Sequence, residues 1–299
     1  MVQGGNGKPG RGRSEPAWAF DRCYRVLEHS FRVRSDLPRV GVLFDRYLAP
    51  FRAGDAGRGP VYVLTRRSGK YPFVMYRGRR RIQSAPTYAD LLDAVFAIVH
   101  QDPIERTERF LAVHASAASW GGQGFVFPAP MDSGKTTLVA GLVWAGFDYL
   151  TDEAALFDAA TGDLCPFPKV LWMEARSVRA IPDLQRKLSR EYRDLSRLRS
   201  YVRPSDLRPA STGRRCRLRY VVFPSYDPDA TTRIDPVGRP QALMRLARNS
   251  FNFKRFGAEG LRILRDALTE ADCYTLRMGD LDSAVRAVQE VGRGAVTVA

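Results

Sequence analysis

Between Gln123 and Leu138 the chain reads Gln-Gly-Phe-Val-Phe-Pro-Ala-Pro-Met-Asp-Ser-Gly-Lys-Thr-Thr-Leu: an apolar run, a proline-bounded loop, then Gly134-Lys135-Thr136 at the start of a helical pattern. Few folds accommodate that order. A strand must deliver a tight loop, and the loop must open directly into a helix whose Leu138, Leu142 and Val143 are spaced for a buried face. Backbone N–H groups of such a loop and of the first helical turn converge on anionic oxygens, as in a phosphate-binding loop. In that reading Asp132, Ser133, Gly134, Lys135, Thr136 and Thr137 line the anion, Lys135 reaches the β- and γ-phosphates, and the Thr136 hydroxyl holds Mg²⁺. One position departs from G-x-x-x-x-G-K-[ST]: Ala129 stands where the first glycine belongs, between Pro128 and Pro130. Alanine is acceptable there if its φ stays negative. The blander alternative is a chance tripeptide at a helix start.

The remaining composition narrows the class. A chain of 299 residues with 44% hydrophobic and 26% charged residues can bury one large or two modest cores. No apolar run is long enough for a membrane span. The Gly-, Lys- and Arg-rich start, residues 1–16, has no apolar centre and reads as a disordered basic tail rather than a secretory signal. Cys23, Cys165, Cys216 and Cys273 are scattered without zinc-like spacing, which fits a reducing, cytoplasmic setting. The net charge of +15 attracts phosphate-rich or acidic partners. No nucleic-acid recognition motif accompanies it, so nucleic acid is disfavoured as the principal target.

Patterning predicts an α/β chain in two parts. The first, 17–107, is a small α+β unit: a strand within Ala17 to Val33, a short helix over Val40 to Phe51, a hairpin of Val61–Thr65 with Pro72–Tyr76, and a helix from Tyr88 to about His100 capped by Thr87. The second, 108–299, alternates strands and helices. Strands are expected at Phe110–Ala118, at the loop strand, at Phe147–Leu150, Ala154–Phe157, Leu171–Met173, Arg219–Phe223 and Cys273–Arg277. Helices are expected at Lys135–Ala145, Pro240–Arg248, Ala258–Thr269 and Asp280–Val291. Residues 174–215 are polar and proline-containing, and read as helical segments and loops.

Phosphoryl transfer needs a base, metal ligands and cations besides a phosphate cradle. Asp152 follows Lys135 by seventeen residues, at the end of the next strand, where ligands of open α/β sheets bind. Its neighbour Glu153 is placed to ligate Mg²⁺. In isolation the pair would read as a solvated turn. His114 lies on a strand expected beside the loop strand and could hydrogen-bond Asp152, although a lone histidine among alanines is more often a core residue.

Val113-His114-Ala115, Gly134-Lys135-Thr136 and Gly146-Phe-Asp-Tyr-Leu-Thr-Asp-Glu153, at these spacings, resemble the catalytic domain of HPr serine kinase/phosphorylase and its divergent relatives. Those proteins share an active-site plan with ATP-dependent phosphoenolpyruvate carboxykinase. Met173-Glu174-Ala-Arg176 is similar to the family's second motif, with Ser177 where a glycine is expected. Ser250-Phe-Asn-Phe253, Gly257-Ala-Glu-Gly260 and Tyr274-Thr-Leu-Arg-Met-Gly-Asp-Leu281 are similar to the tail of kinase-related members found beside peptide-modification genes. The resemblance covers about 108–291 and implies a P-loop kinase domain with a mixed β-sheet flanked by helices. It also implies that Asp152 is the general base, steered by His114, and that Lys135 binds the transferring phosphoryl group. Thr136, Glu153 and Glu174 would hold Mg²⁺, with Arg176 and Arg248 as charge-neutralising arginines. The expected activity is ATP/Mg²⁺-dependent phosphorylation of a hydroxyl, most simply serine, on a small protein or peptide. No membrane is involved, and assembly into a homo-oligomer is compatible with the sequence. Two alternatives stay open at this point: a nucleotide-binding regulatory or assembly protein with little transfer, and a basic nucleic-acid-binding protein.

Overall fold

The computed structural model describes residues 18–189 and 199–294; the tail expected over 1–16 lies outside the described residues. The first part contains β1 (Phe20–Val26), β2 (His29–Ser35), α1 (Pro38–Tyr47), β3 (Arg52–Ala53), β4 (Val61–Arg66), β5 (Phe73–Arg77), β6 (Arg80–Ala85) and α2 (Tyr88–Arg106). Its six strands lie in the order β3-β1-β2-β4-β5-β6, and only the β2–β4 pair is parallel. The one strand expected within Ala17 to Val33 is instead a hairpin, reversed at Leu27 with φ 52°. Tyr24, Val26, Phe31 and Val33 are all buried on one face, even positions before the two-residue turn and odd ones after it, so the alternation slips by one residue at Leu27-Glu28. Leu27-Glu28 also lacks the Asn-Gly chemistry that normally marks such a turn. Helix α2 starts where Thr87 accepts a bond from the Asp90 N–H at 3.2 Å. It continues to Arg106, beyond the expected His100, because Pro103 near its end removes only one helical donor.

The second part contains β7 (Phe110–Trp120), β8 (Gln123–Pro128), α3 (Lys135–Trp144), β9 (Asp148–Thr151), β10 (Ala154–Asp158), β11 (Leu164–Cys165), β12 (Leu171–Glu174), α4 (Ala175–Arg179) and α5 (Leu184–Ser189). It continues with β13 (Arg199–Val202), α6 (Pro204–Leu207), β14 (Arg217–Tyr226), β15 (Arg233–Pro236), α7 (Arg239–Arg248), α8 (Phe253–Phe256), α9 (Ala258–Leu268), β16 (Asp272–Met278) and α10 (Leu281–Gly292). Eight strands form a mixed sheet in the order β11-β10-β7-β8-β14-β16-β15, with β9 also beside β7. Strands β11 and β15 were not expected; two and four residues are too short to display a period. Within 174–215 the segment 190–198 lies outside the described residues, and the rest is short helices plus β13, which pairs with β12.

Helices cover both faces of this sheet, so its strands are apolar on both sides. On β8, Phe125 and Phe127 pack with Leu138 and Leu142 of α3 and Val288 of α10. Val126 points the other way, into a cluster with Leu246 of α7 and Ile263 and Leu264 of α9. The first cluster continues into the N-terminal sheet. Tyr47 meets Tyr201 at 5.1 Å between ring centroids, and Phe51 meets Phe167 at 5.5 Å. The fold is thus mixed α/β, with helices packed on mixed sheets around a shared apolar core. No helix among the described residues is long and apolar enough to cross a membrane.

Strand direction places the site. Strands β8, β14 and β16 are mutually parallel, and β9 runs with them because both β8 and β9 are antiparallel to β7. Their four carboxyl ends therefore open on one edge of the sheet. Strand β7 overruns β8, pairing Ala115 with Pro128 and then passing Phe110–His114 alongside β10. Where β8 has ended, the segment 249–252 takes its place on β7. The His114 N–H donates to the Asn249 carbonyl at 2.7 Å and the Phe251 N–H to the Ala112 carbonyl at 2.8 Å.

Candidate functional site

The loop between β8 and α3 is built as its residues require. Its positive-φ positions are Asp132 (63°) and Gly134 (83°); Ala129 is not among them. The missing first glycine therefore imposes no backbone strain. Gly134 is the position that tolerates no side chain. Besides its φ, a Cβ there would come within 3.1 Å of Met278 Cε and 3.4 Å of Tyr226 Cβ, at the ends of β16 and β14. The Ser133 hydroxyl is buried and has no hydrogen-bond partner among the described residues. Lys135 is 7% exposed and curls back so that Nζ donates to the Pro130 carbonyl at 3.1 Å. Burial lowers its pKa from the ordinary lysine value, while Glu153, Asp152 and Asp132 act in the opposite sense. Among the described residues the Thr136 hydroxyl makes no hydrogen bond, whereas Thr137 Oγ1 lies 2.7 Å from Ser177 Oγ as donor.

Asp132 brings a left-handed backbone and a negative charge to a loop suited to anions. Asp132→Gly should relieve about 1 kcal/mol of backbone strain. It should also tighten nucleotide binding by severalfold, measured by titration of a fluorescent ATP analogue; weaker binding would give Asp132 a positive role in the cradle.

Across the cavity, β9 and β10 are two halves of one strand interrupted at Asp152-Glu153. Thr151 Oγ1 accepts bonds from the N–H groups of Glu153 (3.2 Å) and Ala154 (3.3 Å), while the Ala115 N–H reaches the Glu153 carbonyl at 3.1 Å. The register on β7 shifts between Ala117 and Ala118. Such an interruption re-aims a side chain out of the alternating pattern. Asp152 is 5% exposed yet lines the cavity. Its Oδ1 lies 3.0 Å from Lys169 Nζ and 3.2 Å from the Tyr149 hydroxyl, and its Oδ2 accepts from the Trp172 N–H at 3.3 Å. A carboxylate offers about four acceptor sites, so one remains on Oδ2. Glu153, half-exposed, places Oε2 3.5 Å from the same Lys169.

Burial by itself would depress the Lys169 ammonium; Asp152 and Glu153 overcome that and hold its pKa above the ordinary lysine value. Burial, reinforced by the Asp152 carboxylate, raises the Tyr149 phenol well above its usual range, so it remains a donor.

His114 also lines the cavity, but the hydrogen bond expected between it and Asp152 is not formed. Lys169, Tyr149 and Trp172 hold the carboxylate, and the imidazole packs against Phe251 at 5.2 Å between ring centroids. Burial and then Lys135 lower the His114 pKa, against Glu153 and Asp152, so its ring is neutral at pH 7. Glu174 and Arg176 line the opposite wall and pair with each other at 2.8 Å. Arg248 is exposed on α7 and does not line the cavity.

The cavity has a volume of about 550 Å³. Its apolar wall is formed by Leu138, Tyr226, Met278 and Leu281, of which Tyr226 was not marked in the sequence. Lys169 was missed as well. The one hint is a lysine inside the otherwise apolar, proline-bounded Pro166-Phe-Pro-Lys-Val-Leu171. Among the described residues no three His, Cys, Asp or Glu side chains form a metal cluster by themselves. Mg²⁺ at nucleotide sites usually takes one or two carboxylates and completes its shell with phosphates and water. The uncommitted Thr136 hydroxyl and Glu153 fit that pattern, and the orphaned Ser133 hydroxyl and buried Lys135 fit a phosphate. No protein-family model matches the chain, and no curated protein matches its sequence.

Proposed function

We propose that the chain is an ATP- and Mg²⁺-dependent kinase with a P-loop fold of HPr kinase type, transferring the γ-phosphoryl group to a hydroxyl of a small protein or peptide. The observation that carries this reading is the convergence, on one sheet edge, of the loop with its unpartnered Ser133 hydroxyl and buried Lys135, and of the carboxylate pair Asp152-Glu153 facing the same cavity. In this reading the loop N–H groups, Ser133 and Lys135 bind phosphate oxygens, Lys135 leaving the Pro130 carbonyl to do so. Thr136 and Glu153 would hold Mg²⁺, and Glu174 could join them only by parting from Arg176. When bound, the ion supplies neutralising charge to the β- and γ-phosphates. Asp152 accepts the acceptor hydroxyl's proton as its oxygen bonds to phosphorus and the β–γ bridging oxygen leaves with ADP. His114, neutral, lines the acceptor path.

The test is incubation of the full chain with labelled ATP, Mg²⁺ and a cell extract, followed by mass-spectrometric identification of the labelled species. A phosphorylated serine or similar hydroxyl that disappears on chelation of Mg²⁺ is the expected product. Lys135→Ala should weaken nucleotide binding and lower transfer by about 10²-fold or more, the scale of losing one preorganised charge at a transferring group. Equal activity in that variant would remove the phosphate-loop reading. Nucleotide binding without turnover in the native chain would favour a regulatory role instead.

A further inference from the structure

We propose that Lys169 is a positioning residue of this site, fixing Asp152 and Glu153 in one arrangement across the cavity from Lys135; the assignment rests on the kinase reading above.

Lys169 is 7% exposed, and lysines are almost never buried unless paired. Its ammonium has three protons, and the structure gives each a partner: Asp152 Oδ1 at 3.0 Å, Glu153 Oε2 at 3.5 Å and the Val170 carbonyl at 3.3 Å. The two carboxylates belong to consecutive residues at the strand interruption, where the pattern would otherwise send their side chains to opposite faces. One cation bridging both therefore sets the angle between them. The lysine is itself fixed. Its carbonyl lies 2.9 Å from the Tyr149 hydroxyl, whose one proton is shared between that carbonyl and Asp152 Oδ1 at 3.2 Å, and its N–H donates to the Phe167 carbonyl at 2.8 Å. Phe167 packs on Phe51 and on His100 of α2, so the N-terminal sheet's helices buttress the segment that carries the lysine.

This geometry explains why the site needs a second lysine besides Lys135. Two adjacent carboxylates facing a polyphosphate would repel it, and each other. Lys169 offsets that charge from behind, while Trp172 N–H and Tyr149 fix the rotation of the Asp152 carboxylate. One acceptor site on Asp152 and one oxygen of Glu153 are left for the cavity. Displacing a reacting group by about 1 Å typically lowers turnover by about 10²-fold. A positioning role therefore predicts a loss in kcat with nucleotide affinity retained.

Lys169→Met keeps an unbranched side chain, one atom shorter, and removes its charge. With the full chain, Mg²⁺ and labelled ATP, the expected result is a fall in kcat of about 10²-fold, with the dissociation constant for a fluorescent ATP analogue within about threefold of wild type. Because Lys169→Met leaves a buried carboxylate unpaired, the double variant Lys169→Met with Asp152→Asn is measured beside it. That variant should regain much of the lost melting temperature and remain inactive. If folded Lys169→Met turns over like wild type, or loses nucleotide affinity and turnover in equal measure, the positioning role is overturned. A wild-type chain that turns over no ATP with any acceptor overturns the kinase reading itself, and this assignment with it.

Discussion

Asp152→Asn should retain nucleotide affinity and lower phosphoryl transfer by about 10²- to 10⁴-fold, the range that general-base catalysis supplies. The amide keeps the shape of the carboxylate, but its single oxygen accepts on one side only, from Tyr149 and Lys169 at the Oδ1 position or from the Trp172 N–H at the Oδ2 position. It cannot take the acceptor's proton. The substitution also strips Lys169 of its closest partner, at 3.0 Å, and Glu153 at 3.5 Å becomes its one remaining carboxylate. Breaking a buried pair costs about 3–5 kcal/mol when nothing compensates. The Glu153 contact should hold the loss to the lower end, visible as a reduced melting temperature. The two effects separate experimentally. Single-turnover transfer reports the base, a fluorescent nucleotide titration reports the cradle, and thermal melting reports the ion pair. A folded Asp152→Asn chain with wild-type transfer would move the base elsewhere in the cavity, to Glu153 or to the neutral His114.

How much of this was legible in the sequence follows from the range of each interaction. The loop and helix α3 are local: Phe125 to Phe127 alternate, Leu138 and Leu142 repeat at helical spacing, and glycine at 134 answers a backbone requirement within its own turn. Asp152-Glu153 could be found because it follows the next strand after the loop helix. Ala129 drew attention as a missing glycine, yet the left-handed positions are 132 and 134, so the motif's first position carries no φ requirement here. The hairpin at Leu27 was hidden because Leu27-Glu28 carries no turn chemistry and the alternation slips by a single residue there. Lys169 was invisible for a different reason. Its partners lie sixteen and seventeen residues earlier, and only the antiparallel run of β9 and β10 on β7, with the return of the chain through Phe167, brings them together. The His114–Asp152 bond failed on the same ground, since spacing brings both to the cavity but cannot tell which of several donors the carboxylate selects. Some arginines are engaged in surface pairs, such as Arg215 and Arg217 with Asp163 and Arg277 with Asp227, but the net charge of +15 remains after every acidic residue is counted.

Asn252→Leu should destabilise the chain by at least about 3 kcal/mol, the low end for three buried backbone groups left unpaired at about 1–3 kcal/mol each. Strand β7 extends past the end of β8 and would there present a bare edge beside the phosphate loop. The Asn252 side chain, 4% exposed, substitutes for the missing strand. Its Oδ1 accepts from the Ala112 N–H at 3.0 Å, and its Nδ2 donates to the Phe110 carbonyl at 2.9 Å and to the Thr107 carbonyl at 3.4 Å. Leucine fills a similar volume and satisfies none of them. Aspartate would keep the acceptor but turn a second oxygen toward two carbonyls, so Asn252→Asp should be nearly as damaging. For a chain of this size 1 kcal/mol shifts the melting temperature by about 2–4 °C, so a fall of about 10 °C is expected. The damage should not stay structural. The same stretch of β7 carries His114, whose N–H is held by the Asn249 carbonyl at 2.7 Å, so loosening the segment frees one wall of the cavity. Urea unfolding gives the direct measurement. An unchanged midpoint in Asn252→Leu would mean that the segment 249–252 rests against β7 without holding it, and that His114 owes its place to β10 alone.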